Sequence, residues 1–300
     1  MTRPQHFITG TELKAGELHD LLNRALELKE MGRDGPEPLD RRSVALLFEK
    51  PSTRTRVSFQ VGIQQLGGHA MLLRSDELQL ARGESVKDTA LVLSRYVDAI
   101  VVRIGEHALL EELARHAEIP VVNALTPLHH PCQALADLLT LRERFGQLEG
   151  LRLAYVGDGN NVCHSLMLVG ALAGVEVVAA TPPELRPVEE IVAQAADLAS
   201  VTSDPVAAAT GAHALYTDVW VSMGDEGDAD RRRELLAPYR LDSALLARAR
   251  DDAIVMHCLP AHPGEEITEE LLYGERSAVW DQAENRLHAQ KALMERLLSP

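Results

Sequence analysis

The chain has little cysteine, little lysine and no long apolar run, and each scarcity removes a class of protein. Three cysteines in 300 residues, an odd number, do not make a disulfide framework and suit a reducing compartment. Lysine supplies only five of the thirty basic residues (Lys14, Lys29, Lys50, Lys87 and Lys291), and the formal net charge is −15. A chain of that sign is not built for nonspecific contact with nucleic acid or acidic lipid. No run approaches the roughly 20 apolar residues of a membrane span, and Met1–Phe7 has no apolar core of signal length. These absences predict a soluble cytoplasmic protein with no nucleic-acid or membrane partner. What is present, 46% hydrophobic residues over 300 positions, suffices for two domains of ordinary size.

Hydrophobic periodicity supplies the order of elements. Leu18, Leu21, Leu22, Ala25 and Leu28 repeat every 3.6 residues and predict an opening helix, which the Arg33–Pro38 stretch ends. Short apolar runs then alternate with longer amphipathic ones. Strands are expected at Val44–Phe48, Ala70–Leu73, Ala99–Arg103 and Val121–Ala124, with helices near 53–66, 86–96 and 107–116. After Pro131 a helix runs to Phe145. A second series follows: Leu153–Val156, Val175–Ala179, a weak Val201–Ser203, Ala214–Thr217, Ile254–His257 and Ala278–Trp280, closed by a helix from Asn285 to Leu298. Such alternation argues for an α/β protein of two successive domains, each a parallel β-sheet flanked by helices, with the boundary on the 132–145 helix.

Ligands of open parallel sheets sit beyond the carboxyl ends of the strands, and the polar clusters of this chain fall there. Ser52-Thr53-Arg54-Thr55-Arg56 follows the Val44–Phe48 run, with Pro51 as the break. A strand–turn–helix junction aims unpaired backbone N–H groups at an anion, and hydroxyls with forked guanidinium donors suit phosphate. Arg103 ends the third strand. Pro131 holds His130 extended and starts a helix, so His130 and Gln133 flank its N-terminus. An imidazole and a carboxamide there match a carbonyl oxygen and an amide nitrogen better than they match phosphate. In the second series, Thr217-Asp218-Val219 leads to Ser222-Met223-Gly224 and an acidic, glycine-bearing stretch, Asp225–Asp230, that reads as a mobile lip for a cationic substrate. His257 and Cys258 end another strand, but with His262 they make only half a zinc set, so no metal is expected. Gly157-Asp158-Gly159-Asn160-Asn161-Val162 imitates a dinucleotide fingerprint without its third glycine, and reads instead as a tight turn presenting Asn161.

Together these motifs resemble the aspartate/ornithine carbamoyltransferase family over nearly the whole chain. Phe48–Arg56 resembles its carbamoyl-phosphate signature and His130-Pro131-Cys132-Gln133 its second; Asp218 with Ser222-Met223-Gly224, and His257-Cys258-Leu259-Pro260, resemble the ornithine-type segments. The resemblance implies transfer of a carbamoyl group from carbamoyl phosphate to the δ-amine of ornithine, with no cofactor. A different acceptor (putrescine, aspartate or an acylornithine) is the alternative, although no basic residue between Asp218 and Asp230 offers to hold a second carboxylate. It also implies a carbamoyl-phosphate domain over 1–135, an ornithine domain over 136–284, and a helix over 285–300 returning to the first. Ser52, Thr53, Arg54 and Thr55 would hold the phosphate, Arg103 would bridge phosphate and carbonyl oxygen, His130 would donate to that carbonyl and Gln133 accept from the carbamoyl nitrogen. Gln79 would reach a neighbouring subunit's site, implying a homotrimer or a multiple of trimers. Asn161, Asp218, Ser222 and Met223 would contact ornithine, Cys258 and Leu259 would line the carbamoyl side, and Arg286 would return from the last helix. Arg54, Arg103, His130, Asp218 and Cys258 would carry the chemistry, Cys258 by positioning. Ala261-His262-Pro263-Gly264 departs from relatives in carrying proline where arginine is common.

Overall fold

Periodic apolar stretches separated by glycine and proline become two parallel sheets. The computed structural model of the chain describes residues 5–50, 52–74, 83–222 and 226–299. Gln79 and Met223 lie outside them. The first series is α1 (Ala15–Glu30), β1 (Ser43–Phe48), α2 (Thr53–Gln65), β2 (His69–Arg74), α3 (Val86–Leu93), β3 (Ala99–Arg103), α4 (His107–His116), β4 (Val121–Leu125) and α5 (Pro131–Phe145). The second is β5 (Arg152–Val156), α6 (Asn161–Leu172), β6 (Glu176–Ala180), α7 (Glu189–Gln194), β7 (Ala199–Thr202), α8 (Pro205–Ala209), β8 (Ala214–Thr217), α9 (Ala229–Leu236), α10 (Ser243–Leu246), β9 (Ile254–His257), α11 (Glu269–Tyr273) and α12 (Val279–Leu298). The chain divides into two units, Met1–Leu135 with Arg286–Pro300, and Ala136–Asn285. No helix among the described residues is long and apolar enough to cross a membrane.

The first unit has a four-stranded sheet in the order β2-β1-β3-β4, with every pair parallel. Its inner strands are buried along nearly their whole length, as expected where helices cover both faces of a sheet. One face packs Ala45, Leu47, Ile100, Val102, Leu110 and Leu113 together. From Arg286 onward, α12 packs on this unit: Arg24 of α1 donates from Nε to Glu295 at 2.7 Å, and Lys291 reaches Gln65 of α2 at 3.2 Å. Gly62 permits that approach, because a Cβ there would lie 3.2 Å from Lys291 Cγ and 3.3 Å from Leu287 Cδ1.

The second unit has five parallel strands in the order β7-β6-β5-β8-β9. Ala154, Val156, Leu215, Tyr239, Leu241, Val255 and Ile267 belong to one of its apolar clusters. Two expectations need correction here. Ala278–Trp280 is not a strand. Ser277 makes a single parallel bridge with Val255 and the Ala278 N–H donates to Val255 O at 2.8 Å. The chain then turns directly into α12, which starts at Val279 rather than at the expected Asn285. Of the acidic stretch Asp225–Asp230, Asp225 lies outside the described residues, Glu226–Asp228 is a 3-10 turn and α9 begins at Ala229.

Candidate functional site

The strand order of an open sheet locates its binding crevice, which lies where the order reverses. In the first unit the reversal falls between β1 and β3. Ser52 is the N-cap of α2 just beyond β1, in an extended conformation, and its side chain makes no cap bond. Thr53, Arg54 and Thr55 form the first turn of that helix, with Arg54 exposed and Thr55 buried. Arg103 closes β3. From the next connection come His130 and Gln133, both buried at the start of α5. Arg286 of α12 joins them: it donates from Nη1 to Gln133 Oε1 and from Nη2 to Thr55 Oγ1, each at 2.8 Å. One guanidinium thereby ties together the two motifs that resemble the family's donor signatures.

Electrostatically this set is strained in one sense. Burial pulls the Arg103 guanidinium down to about 10, and the positive charges of Arg286 and Arg54 push the same way. Burial likewise drives the His130 imidazole well below its ordinary value, again with Arg286 and Arg103 adding to the shift, so at neutral pH it is uncharged. Arg103 Nε is buried without a hydrogen-bond partner among the described residues. Three guanidiniums that repel one another, with a buried donor unanswered, are stabilised by an anion of two charges. Cys132, between His130 and Gln133, is inert. Its thiol donates to Asn123 O at 3.3 Å and burial pushes it up to about 12.

In the second unit the order reverses between β5 and β8. Here the set is a network of matched donors and acceptors. Asp218 follows β8, almost wholly buried. Its Oδ1 accepts from the Val219 N–H and from the Cys258 thiol, and its Oδ2 accepts from Asn160 Nδ2, all at 2.8 Å. Cys258 is held by the end of β9. The Leu259 N–H donates to His257 Nδ1 at 2.9 Å, so the proton of His257 sits on Nε2 and points to Glu266 Oε1 at 3.1 Å. Leu259 itself adopts a φ of 60°. Arg232 of α9 donates from Nε to Trp220 O at 2.9 Å and pairs with Asp158, fastening the segment after Asp218 to the β5–α6 turn. Asn161 is the first residue of α6 and, like Ser222, is half-buried. Sequence reasoning singled out Asn161 but missed its neighbour Asn160, which makes the bond to Asp218. Asparagine before a largely apolar helix was the available signal, and by itself it says only N-cap.

The glycine-rich turn is not a dinucleotide cradle. A Cβ on Gly159 would lie 2.2 Å from Pro187 N, so the chain's own backbone fills the space a pyrophosphate would need. The first N–H groups of α6, at Val162 and Cys163, are already taken by Asn160 Oδ1 at 2.9 and 3.3 Å. Among the described residues two clusters have ligand atoms close enough for a metal: Asp218, His257 and Cys258, and His262, Glu265 and Glu266. In the first cluster each residue takes part in the bonds just described; in the second, Glu265 accepts from Arg233 Nε at 3.2 Å and Glu266 Oε1 faces His257 Nε2.

A cluster of guanidiniums beside an uncharged imidazole on one parallel-sheet unit, and a carboxylate–thiol–carboxamide set on a second, are features suited to a group-transfer enzyme with a phosphorylated donor and an amine acceptor. The comparisons with known proteins carry this further. Residues 5–143 match the carbamoyl-P binding domain of aspartate/ornithine carbamoyltransferases, and residues 149–297 match their Asp/Orn binding domain. The chain is 53% identical over 298 residues to the ornithine carbamoyltransferase of Methanoculleus marisnigri, covering 98% of this chain and 96% of that one. It is 53% identical over 304 residues to that of Parafrankia sp., again covering 98% of this chain and 96% of the other. The solved ornithine carbamoyltransferase of Pyrococcus furiosus superposes with a TM-score of 0.93 at 44% identity, over 99% of this chain and 97% of its own. That of Thermus thermophilus gives 0.91 at 46% identity, over 99% and 100%. The chain belongs to the aspartate/ornithine carbamoyltransferase family.

Proposed function

We propose that the chain transfers the carbamoyl group of carbamoyl phosphate to the δ-amine of L-ornithine, giving L-citrulline and phosphate. The observation that carries this reading is the trio Arg54, Arg103 and Arg286 set beside an uncharged His130 at one sheet's switch point. Ser52, Thr53, Arg54 and Thr55 take the phosphate, with Arg286 alongside through Thr55. Arg103 spans phosphate and carbonyl oxygen. His130 donates to that oxygen, and Gln133, fixed by Arg286, accepts from the carbamoyl nitrogen. As the amine attacks the carbonyl carbon, negative charge gathers on oxygen and then leaves with the phosphate. Positively charged and neutral donors already in place lower the energy of both.

The acceptor belongs to the second unit: Asp218 receives the ornithine side-chain amine, with Asn161, Ser222 and Met223 nearby, and Cys258 and Leu259 line the carbamoyl side. No protein nucleophile is required, because the two substrates react directly once aligned. The Cys258 thiol donates a hydrogen bond to Asp218 and acts as a positioning group. The chemical obstacle is the amine. An alkylamine with a pKa of about 10.4 is neutral roughly once in several thousand molecules at pH 7, a cost of about 4–5 kcal/mol. A carboxylate favours the charged amine, so Asp218 orients the amine and is not its base. kcat/KM for ornithine should therefore climb from pH 7 toward pH 9. Gln79, by the same reading, serves the site of a neighbouring subunit in a homotrimer of cytoplasmic location.

The test is an assay for citrulline with purified protein and four acceptors side by side: ornithine, putrescine, aspartate and acetylornithine. Ornithine should be turned over at least about 100-fold better than the others in kcat/KM, within the discrimination that a site built on hydrogen bonds provides. Equal turnover of putrescine would exclude a role for the ornithine α-carboxylate and overturn the acceptor assignment.

A further inference from the structure

Asn160 sits on a turn with little freedom. Gly159 admits no side chain, because Pro187 N and Leu185 O press on it, and the Gly159 N–H donates to Leu185 O at 2.8 Å. The Asn160 N–H in turn donates to Asp158 O at 2.8 Å. The residue is the N-cap of α6, and its Oδ1 accepts from three donors: the N–H groups of Val162 and Cys163, at 2.9 and 3.3 Å, and the Tyr155 hydroxyl at 3.1 Å. Tyr155 is fully buried, stacked on Tyr216 with centroids 5.7 Å apart. Burial first, and then the carboxylate of Asp218, hold its phenol well above the usual range, so it is a donor at any pH the protein meets. Three donors on one side leave the amide no choice of orientation. Its NH2 group must face away from the helix, and there it meets Asp218 Oδ2 at 2.8 Å.

We propose that Asn160 is a positioning residue of the carbamoyl-transfer reaction, whose carboxamide converts the fixed start of α6 into a fixed orientation of the Asp218 carboxylate. With Oδ2 held by Asn160 and Oδ1 by the Val219 N–H and the Cys258 thiol, the carboxylate plane has no freedom to turn, and its remaining lone pairs define where an ammonium or amine binds. This rests on the acceptor role of Asp218. It gives the first of the paired asparagines a task distinct from substrate contact.

The cap and the positioning task can be separated by mutation. Serine and aspartate cap helices about as well as asparagine. Serine cannot reach Asp218, and aspartate presents an oxygen to it where a donor is needed. Asn160→Ser should keep the wild-type melting temperature to within about 2 °C, whereas Asn160→Asp, which sets two carboxylates together, should lower it further. They should bind a non-hydrolysable carbamoyl phosphonate as wild type does, and lose roughly 10- to 100-fold in kcat/KM for ornithine, the range for a lost hydrogen bond to a charged group. In an Asp218→Asn background the same Asn160→Ser change should cost less than about threefold, because its target is gone. The proposal is overturned if Asn160→Ser keeps ornithine kcat/KM within about threefold of wild type, or if it loses the same factor in both backgrounds. It is also overturned if activity in both single variants falls only in step with melting temperature, which leaves capping as the sole role. Failure of the acceptor assignment would look different: wild type itself would make no citrulline from ornithine.

Discussion

The two units put their functional groups at the same topological position and equip them in opposite ways. At the β1–β3 reversal stand three guanidiniums and a neutral imidazole, with the charge of Arg103 depressed and its Nε unanswered. At the β5–β8 reversal, Asp218 has a donor on each carboxylate oxygen at 2.8 Å and a thiol beside it. The first set is held in a state that only a ligand relieves; the second is satisfied before any ligand arrives. The contrast is what the proposed reaction would require of each. A phosphate brings two or more charges and many acceptor oxygens, so unneutralised donors gain the most from it. An amine brings one charge and must be aimed, so a carboxylate locked in place serves it better than a loose one.

Breaking the cationic set should have the largest effect. Arg103→Ala should lower kcat/KM by about 10³-fold or more, since it removes a donor to both the phosphate and the developing oxyanion. A loss below about tenfold in a steady-state assay would mean the phosphate lies elsewhere. Next in size, Asp218→Asn should cost roughly 10- to 100-fold in kcat/KM for ornithine, while the Kd for carbamoyl phosphonate, read by calorimetry, stays unchanged. The asymmetry between those two variants is the comparison in quantitative form.

Acid should also separate the units. Burial is the chief cause lowering the imidazoles of His130, His6 and His107 in the first unit, and it lowers that of His213 in the second. A histidine whose folded value lies below its unfolded value takes up a proton on unfolding, so stability is lost as pH falls through about 6.5. Each fully shifted group contributes up to about 1.4 kcal/mol per pH unit. Hydrogen exchange at pH 5.5 should therefore show the first unit opening ahead of the second, and His130→Asn should narrow that lead. Smallest is Gly62→Leu, which crowds α12 on α2 at a cost of about 1–3 kcal/mol. It should lower the melting temperature and weaken phosphonate binding through Arg286, leaving the ornithine KM alone.

Much of this arrangement is legible in the linear sequence, because strand ends and helix starts carry their own chemical signs. The Ser52–Arg56 turn and the Pro131 helix start are marked by proline and by residues that cap or bind, and both fall where expected. Ala278–Trp280 misleads for a physical reason. Its apolar content is that of a short strand, and Ser277 does bridge to Val255, but the chain turns into α12 before a second pair forms. Trp280 thus faces outward, half-exposed and stacked on Tyr273 at 5.8 Å. Asn160 was hidden by its adequacy as an N-cap. The Tyr155 hydroxyl, from β5, joins the Val162 and Cys163 N–H groups in fixing which side of the Asn160 amide faces Asp218, 58 residues away in sequence, and periodicity does not encode that pairing. The return of Arg286 to Thr55, 231 residues away in sequence, is equally invisible to periodicity.

The division of labour is tested most directly by titrating one non-hydrolysable carbamoyl phosphonate into wild type, Arg103→Ala and Asp218→Asn. The account predicts that wild type and Asp218→Asn bind it equally and that Arg103→Ala binds it at least about 100-fold more weakly. Equal weakening in both variants, or full binding by Arg103→Ala, would contradict it.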